Sequence, residues 1–353
     1  MDILKINPRN NKVLFFSDLH LGVHQDSPTW HKIALDLASW IDGVMKQEKL
    51  NTIFFAGDVF HNRHEIGVNT LHIAKKFFDI LSNYQIYIIP GNHDCFLSSS
   101  VEVNSVKILE KSNITVFNEP TTVEVSDKKV TFCPWNTDSR VLNEVDMLVG
   151  HFEIVNFKMN ATKICEHGED PAHFLNKAKS VITGHFHCRS HRQYEDRYVL
   201  YLGSPYEMDF GDRDQTKGVS IIDFDDLSVN FIQNEITPKH YRIEVTGILN
   251  KKYENLNQLI KGNIISLYVD TKFDALTLDM LITKLTQYGP LQFRTEFNIL
   301  DDAQNEIKET KKLSIDIETA LGEFIEIIDT RATKKEVLDK CLELYKVCLN
   351  NHE

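Results

Sequence analysis

With 353 residues, the chain has room for two or three domains, or for one large domain with attachments. Hydrophobic residues at 42% and charged residues at 25% are those of a globular protein with a sizeable core, and no run reaches the roughly 18 to 20 apolar residues of a membrane span. The net charge of -12 argues against a stand-alone, high-affinity DNA binder, because phosphate contacts come from basic surfaces.

Two escapes from that charge argument exist. Bound divalent cations reverse the local field at a site, and a partner protein can carry much of the grip. The N-terminus, MDILKINPRN, has no basic flank followed by an apolar stretch, so no signal peptide is expected. Six cysteines (Cys95, Cys133, Cys165, Cys188, Cys341 and Cys348) lack C-x-x-C spacing, the pattern of reduced thiols in a cytoplasmic protein.

Taken in chain order, five short apolar runs look like buried strands, and each ends on a metal-ligand residue. They are VLFFSDLH (Val13 to His20), IFFAGDVFH (Ile53 to His61), IYIIPGNHD (Ile86 to Asp94), MLVGH (Met147 to His151) and VITGHFH (Val181 to His187). Between the first two, Ile33, Leu37, Trp40, Ile41 and Val44 repeat at helical spacing, and Leu71, Ala74, Lys75 and Phe78 do so before the third. Later segments look like hairpin strands: Thr121 to Val125 with Lys129 to Cys133, then Tyr198 to Leu202 and Val219 to Phe224. The expectation is an α/β fold, a two-sheet α/β/β/α core over residues 1–238. In α/β sheets ligands sit beyond the carboxyl ends of the strands, where all five motifs lie.

Residues 239–300 predict a small α+β capping domain, with strands Tyr241 to Val245, Ile264 to Val269 and Gln292 to Ile299 and a helix Leu278 to Tyr288. The polar stretch 301–312 reads as a linker, and 313–353 as a helical hairpin. One apolar stripe holds Leu313, Ile317, Leu321, Phe324, Ile325 and Ile328, the other Leu338, Cys341, Leu342 and Tyr345; Thr333 and Glu336 form a capping box. The hairpin's apolar faces suit either packing on its own domain or docking a partner's helices.

The donors are carboxylate, amide and imidazole, with no thiolate. Asp18 and His20, like His185 and His187, are two residues apart and project to one side of an extended chain. Asp58, Asn92, His151 and His185 each follow a glycine, the residue that permits sharp turns off a strand. Such N/O sites suit Mn²⁺, Fe²⁺ or Zn²⁺ rather than a sulfur-bound structural zinc. A carboxylate such as Asp58 can bridge two ions, and a two-metal site stabilises both the attacking and leaving oxygens of an in-line displacement. Taken alone, Asp18 could be a helix cap and His20 a solvated loop residue; the ordered set is what argues for metal and for phosphate-ester hydrolysis.

The pattern D-x-H, G-D, G-N-H-D, G-H and G-H-x-H resembles that of the calcineurin-like metallophosphoesterases over about residues 13–225. GDVFH followed by GNHD, the segment GSPYEMDFGDRDQTKG (Gly203 to Gly218) and the cap, linker and hairpin layout are similar to the SbcD-type nuclease subunits of DNA double-strand-break repair complexes, including those of T4-like phages. The resemblance implies one metal held by Asp18, His20, Asp58 and His187, and a second held by Asp58, Asn92, His151 and His185. It implies that His93 is the general acid, that Asp94 orients it, and that His61 helps place the strand near the scissile phosphate.

It further implies a DNA exonuclease and endonuclease with two divalent ions, Mn²⁺ favoured over Mg²⁺, Fe²⁺ or Zn²⁺. A homodimer, an SMC-like ABC-type ATPase gripping the C-terminal hairpin, and a cytoplasmic location in the phage host belong to the same expectation. ATP handling would fall to that partner, since the chain has no Walker A sequence. The rival reading is a small-substrate phosphodiesterase or phosphomonoesterase using the same site. A scaffold with a decayed site is opposed by the intact ligand set. The basic cluster Arg189, His191, Arg192 and Arg197 suits either DNA phosphates or a solvated face.

Overall fold

The computed structural model describes residues 3–160, 163–271, 274–297, 325 and 333–350. Residues up to Glu296 form one compact unit, and those from Phe297 a second. In chain order the strands begin with β1 (Lys5–Ile6), β2 (Lys12–Phe16), β3 (Thr52–Phe55), β4 (Gln85–Ile88), β5 (Cys95–Leu97) and β6 (Ser100–Asn104). They continue with β7 (Ile114–Val116), β8 (Thr121–Val125), β9 (Lys128–Cys133), β10 (Val145–Gly150), β11 (Ala178–Thr183) and β12 (Ser190–Tyr194). The remainder are β13 (Arg197–Tyr201), β14 (Gly218–Asp223), β15 (Val229–Gln233), β16 (His240–Glu244), β17 (Ile264–Val269) and β18 (Gln292–Phe297).

Two sheets dominate. One has the order β15-β14-β2-β3-β4-β7, the other β1-β8-β9-β10-β11-β13-β12. The period of two along each strand decides the layers. Val13, Phe15 and Phe54 point one way, into a core shared with Val130, Phe132, Met147 and Val149 of the other sheet. Leu14, Phe16, Ile53 and Phe55 point the other way, under the helices Pro28–Gln47 and Val68–Ile80. The second sheet's outer face, with Leu148, Val181 and Val199, is covered by Phe174 and Leu175 of the short helix Pro171–Leu175. This is the expected α/β core of two sheets with helices outside.

Details depart from the sequence expectation. The buried face of Val68–Ile80 is Thr70, Ile73, Ala74, Phe77 and Phe78, whereas Leu71 is 37% exposed. The strands expected over 198–202 and 219–224 form in different sheets. The first makes its hairpin with β12 (Arg192↔Val199), the second with β15 (Ser220↔Phe231), because the two sheets exchange chain between them.

Beyond β15, the parallel pair β16 and β17 with β18 makes a third sheet, backed by the helix Ala275–Thr286. Its own small core holds Ile243, Ile265, Leu267 and Leu285. The linker expected over 301–312 and the stripe Leu313, Ile317, Leu321, Phe324 and Ile328 lie outside the described residues, apart from helical Ile325. The helix Lys334–Asn350 is present, and Thr333 and Glu336 cap it reciprocally: Thr333 N–H donates to Glu336 Oε2 at 3.0 Å and Glu336 N–H to Thr333 Oγ1 at 3.3 Å. Among the described residues no helix is long and apolar enough to cross a membrane.

Candidate metal centre

All five motif loops leave the carboxyl ends of parallel strands: β2, β3 and β4 in one sheet, β10 and β11 in the other. The two sheets face each other, so the loops converge at one end of the sandwich. Main-chain bonds lock them together. Asp18 N–H donates to Gly57 O at 2.9 Å, and Leu19 N–H to Asp58 O at 2.8 Å. The turns are sharp enough that Asp18, His20, Asp58 and His185 all have positive φ, between 48° and 88°. Four side-chain-bearing residues in a left-handed conformation are costly, and such strain collects at functional sites.

Glycine is required beside them for space as well as conformation. A Cβ on Gly57 would stand 2.5 Å from His151 Nδ1, and one on Gly91 would collide with the Asp58 carboxylate.

Two groups of donor atoms result. Asp18, His20 and His187 form one, and Asp58, His151 and His185 the other, each with its ligand atoms within 4.8 Å of one another. Asp58 Oδ2 lies between them, 3.5 Å from His20 Nε2 and 3.3 Å from His151 Nε2. Asn92 Oδ1 joins the second group, 3.0 Å from His151 Nε2 and 2.9 Å from His185 Nδ1. The structure thus brings together all seven residues expected as ligands. His20, His61 and His93 form a further imidazole group at the rim.

The donor chemistry fits a cation. His151 Nδ1 lies 2.7 Å from the Ala56 carbonyl, which places the ring proton there and leaves the Nε2 lone pair facing inward. That lone pair meets Asn92 Oδ1 and Asp58 Oδ2, both acceptors. The Nε2 atoms of His20 and His187 also converge, 3.1 Å apart. Positive charge at these nitrogens, carried by a proton or by a metal ion, is what the facing oxygens accept. The site's field has that preference: burial works against charging His151, yet the Asp58 carboxylate lifts its imidazole to about 9. Burial would raise the Asp58 carboxyl, but His151, His20 and His93 together hold it well below the usual range. Burial pushes the His20 imidazole well down, towards the neutral form a metal ligand needs.

The three residues expected to act on substrate separate in the structure. His93 is half-buried, with Nδ1 2.6 Å from the His61 carbonyl oxygen. His61 is exposed, and its ring stacks on His93 with centroids 5.7 Å apart. The Asp94 carboxylate, expected to orient His93, is turned to the main chain instead. It is 1% exposed and accepts from four backbone N–H groups: Asp58 at 2.9 Å, Val59 at 3.0 Å, Phe60 at 3.0 Å and Gly91 at 2.9 Å. Burial and the Asp58 charge push the Asp94 carboxyl up, to about 7, while the N–H donors pull it down. Every one of these four partners is a donor, so the ionised carboxylate is the form this geometry accepts. Its role is to clamp the Asp58 and Gly91 loops; the backbone carbonyl of His61 is the group that orients the His93 ring.

Sequence reasoning missed three neighbours of the centre. Trp135 packs its indole 5.1 Å from the His185 ring and 6.0 Å from His151. Glu153 Oε1 lies 3.9 Å from His185 Nε2. Lys217, only 5% exposed, donates to the His187 carbonyl at 2.8 Å and to Asp212 at 2.7 Å, and so supports the His185–His187 loop from below. Only Lys217 left a trace, as a lysine inside the motif 203–218.

Residues 11–189, more than half of the chain, match the calcineurin-like phosphoesterase family. The chain is 29% identical over 238 residues to exonuclease subunit 1 of Enterobacteria phage T4, an alignment covering 64% of this chain and 68% of that protein. Among solved structures, a novel archaeal phosphodiesterase is 17% identical over 63% of this chain and 99% of its own, with a TM-score of 0.37. Wild-type Vps29 of Entamoeba histolytica, complexed with Zn²⁺, is 12% identical over 63% of this chain and 98% of its own, with a TM-score of 0.32. The motif order, the converging loops and the match over residues 11–189 lead to one conclusion: the chain belongs to the calcineurin-like phosphoesterase family.

Proposed function

We propose that this protein is the nuclease subunit of a DNA recombination and repair complex, hydrolysing DNA phosphodiesters at a two-metal centre. The observation that carries the reading is the position of Asp58 Oδ2 between two sets of inward-facing N/O donors. One ion would be held by Asp18, His20, Asp58 and His187, the other by Asp58, Asn92, His151 and His185. When bound, such ions supply Lewis-acid stabilisation to the attacking and leaving oxygens of a phosphate ester. Mn²⁺ suits this N/O set.

The rest of the chemistry belongs to the chain. With Nδ1–H donating to the His61 carbonyl, His93 keeps Nε2 as its second ring nitrogen, and the ring lies edge-on to His20 with centroids 4.7 Å apart. A protonated Nε2 delivers its proton to the leaving 3′ oxygen as the P–O3′ bond breaks and water supplies the new P–O bond. His61, exposed beside it, helps place the strand. The word subunit in the T4 relative's name supports a complex. In this reading residues 239–300 cap the nuclease domain, 301–312 link it, and the hairpin 313–353 docks an SMC-like ATPase. The nuclease itself acts as a homodimer in the host cytoplasm.

The test is cleavage of a labelled DNA duplex by the purified chain with Mn²⁺, beside an Asp58→Ala control and turnover of bis-p-nitrophenyl phosphate. DNA cleavage lost in the control supports the nuclease. Turnover of the small diester without cleavage or binding of DNA, even with the ATPase subunit added, would assign a small substrate instead.

A further inference from the structure

The four-residue basic cluster noted in the sequence does not act as one surface. Arg192 donates to the Asn156 carbonyl at 2.7 Å and stacks on Phe157. Arg197 is bound to the Leu175 carbonyl, and His191 packs edge-on to Tyr198. Arg189 differs. Its guanidinium lies 4.3 Å above the Phe231 ring, its Nε is buried without a hydrogen-bond partner, and no described residue accepts a bond from it. An arginine cannot discharge itself. A part-buried cation without an anionic partner is costly, and a ligand anion removes that cost.

Arg189 lines a cavity of about 510 Å³ together with Lys158, Arg213, Gln215 and Thr216. Three cations face one carboxylate there, Asp214, which stands 3.7 Å from Arg213 on an exposed loop and neutralises it weakly. The cavity adjoins the candidate metal centre. Arg189 is two residues past His187, a span of at most about 7 Å along the chain. The loop carrying Arg213 to Thr216 is tied to the same backbone, because Lys217 donates to the His187 carbonyl at 2.8 Å. In a chain of net charge -12, three cations and a single carboxylate line this cavity.

We infer that this cavity holds a backbone phosphate of the nucleic-acid strand, next to the one being cleaved, through Arg189, Arg213 and Lys158. The assignment rests on the nuclease reading above. The outer N–H groups of Arg189 bind the phosphate as a planar fork, and Arg213 and Lys158 close over it from the rim. It explains how an acidic protein grips a polyanion: the contacts are few and local.

The experiment compares the full chain with the double variant Arg213→Gln/Lys158→Gln, both on the surface, and with Arg189→Met. Binding to single-stranded oligonucleotides of two to eight nucleotides is measured in chelator over a salt series. Cleavage of DNA is compared with turnover of bis-p-nitrophenyl phosphate, which carries no second phosphate to fill the cavity. The expected result is a slope of log affinity against log salt that is shallower by about 0.7 for each contact removed. The gain in affinity between a dinucleotide and a tetranucleotide disappears, and the ratio of DNA to small-diester kcat/KM falls about tenfold or more.

Slopes and ratios equal to the parent in both variants would overturn the inference while leaving the nuclease intact. A parallel fall in both activities with the slope preserved would overturn it too, by making these residues supports of the centre. Inorganic phosphate bound at the cavity with no dependence on strand length would assign it to a free anion and overturn it likewise. A parent chain that neither binds nor cleaves DNA overturns the nuclease reading, and this assignment with it.

Discussion

The substitution Asp94→Asn separates two roles that one residue could play. The Asp94 carboxylate accepts from the main chain of Asp58, Val59, Phe60 and Gly91, with both oxygens engaged. An asparagine of the same shape keeps one acceptor oxygen and turns an NH₂ donor onto the remaining N–H groups. Two bonds to a charged acceptor are lost, at about 1.5–3 kcal/mol each, giving a destabilisation of about 3–6 kcal/mol. For a unit of this size each kcal/mol lowers Tm by about 2–4 °C, so the fall is on the order of 10 °C. The same change loosens the turn that carries Asp58, so metal affinity falls with stability. Thermal unfolding with and without Mn²⁺, and calorimetric titration of Mn²⁺, measure both. An Asp94→Asn protein with the parent's Tm and metal affinity, but with a lower kcat and a displaced pH profile, would refute the clamp and restore Asp94 as the partner of His93.

The remaining predictions concern the same centre. His93→Ala keeps both metals and loses about 10²- to 10⁴-fold in cleavage rate; elemental analysis showing one metal gone would make His93 a ligand instead. Gly57→Ala forces a Cβ to 2.5 Å from His151 Nδ1 at a φ of +92°, so stability falls and His151 loses its bond to Ala56; thermal unfolding and metal stoichiometry report both effects. Mn²⁺ at a hundredfold excess over its Kd stabilises the folded chain by about 2.7 kcal/mol. That rise in Tm is absent in Asp58→Ala, and an equal rise in both proteins would place the binding ion elsewhere.

Much of the centre is legible in the sequence because strand ends are. A short apolar run followed by Asp, Asn or His is a local signal, and Asp18, Asp58, Asn92, His151 and His185 each follow one. The helix Pro28–Gln47 shows its stripe in the same way, as does the capping box at Thr333 and Glu336. Polar edge strands are not legible. Ser190–Tyr194 reads SHRQY and pairs only with β13, so no apolar face marks it. The buried face of Val68–Ile80 is shifted by one position from the stripe its apolar residues suggest, since Leu71 is apolar yet exposed and only the packing of Ile73 and Phe77 against the sheet fixes the buried side.

By itself the sequence determined the chemistry available: an ordered set of N/O donors at strand ends, a family pattern, and a net charge of -12. Tertiary structure alone decided how those donors are used. Asp94 is next to His93 in the chain, yet its carboxylate turns inward, because four N–H groups of two converging turns need an anion and a buried carboxylate needs donors. Arg189, Arg192 and Arg197 look alike in sequence. Carbonyls on neighbouring segments consume two of them, and only Arg189 is left beside a cavity with its charge unanswered. Hydrogen-bond partners that lie far apart along the chain are set by how loops meet, and no local pattern encodes that meeting.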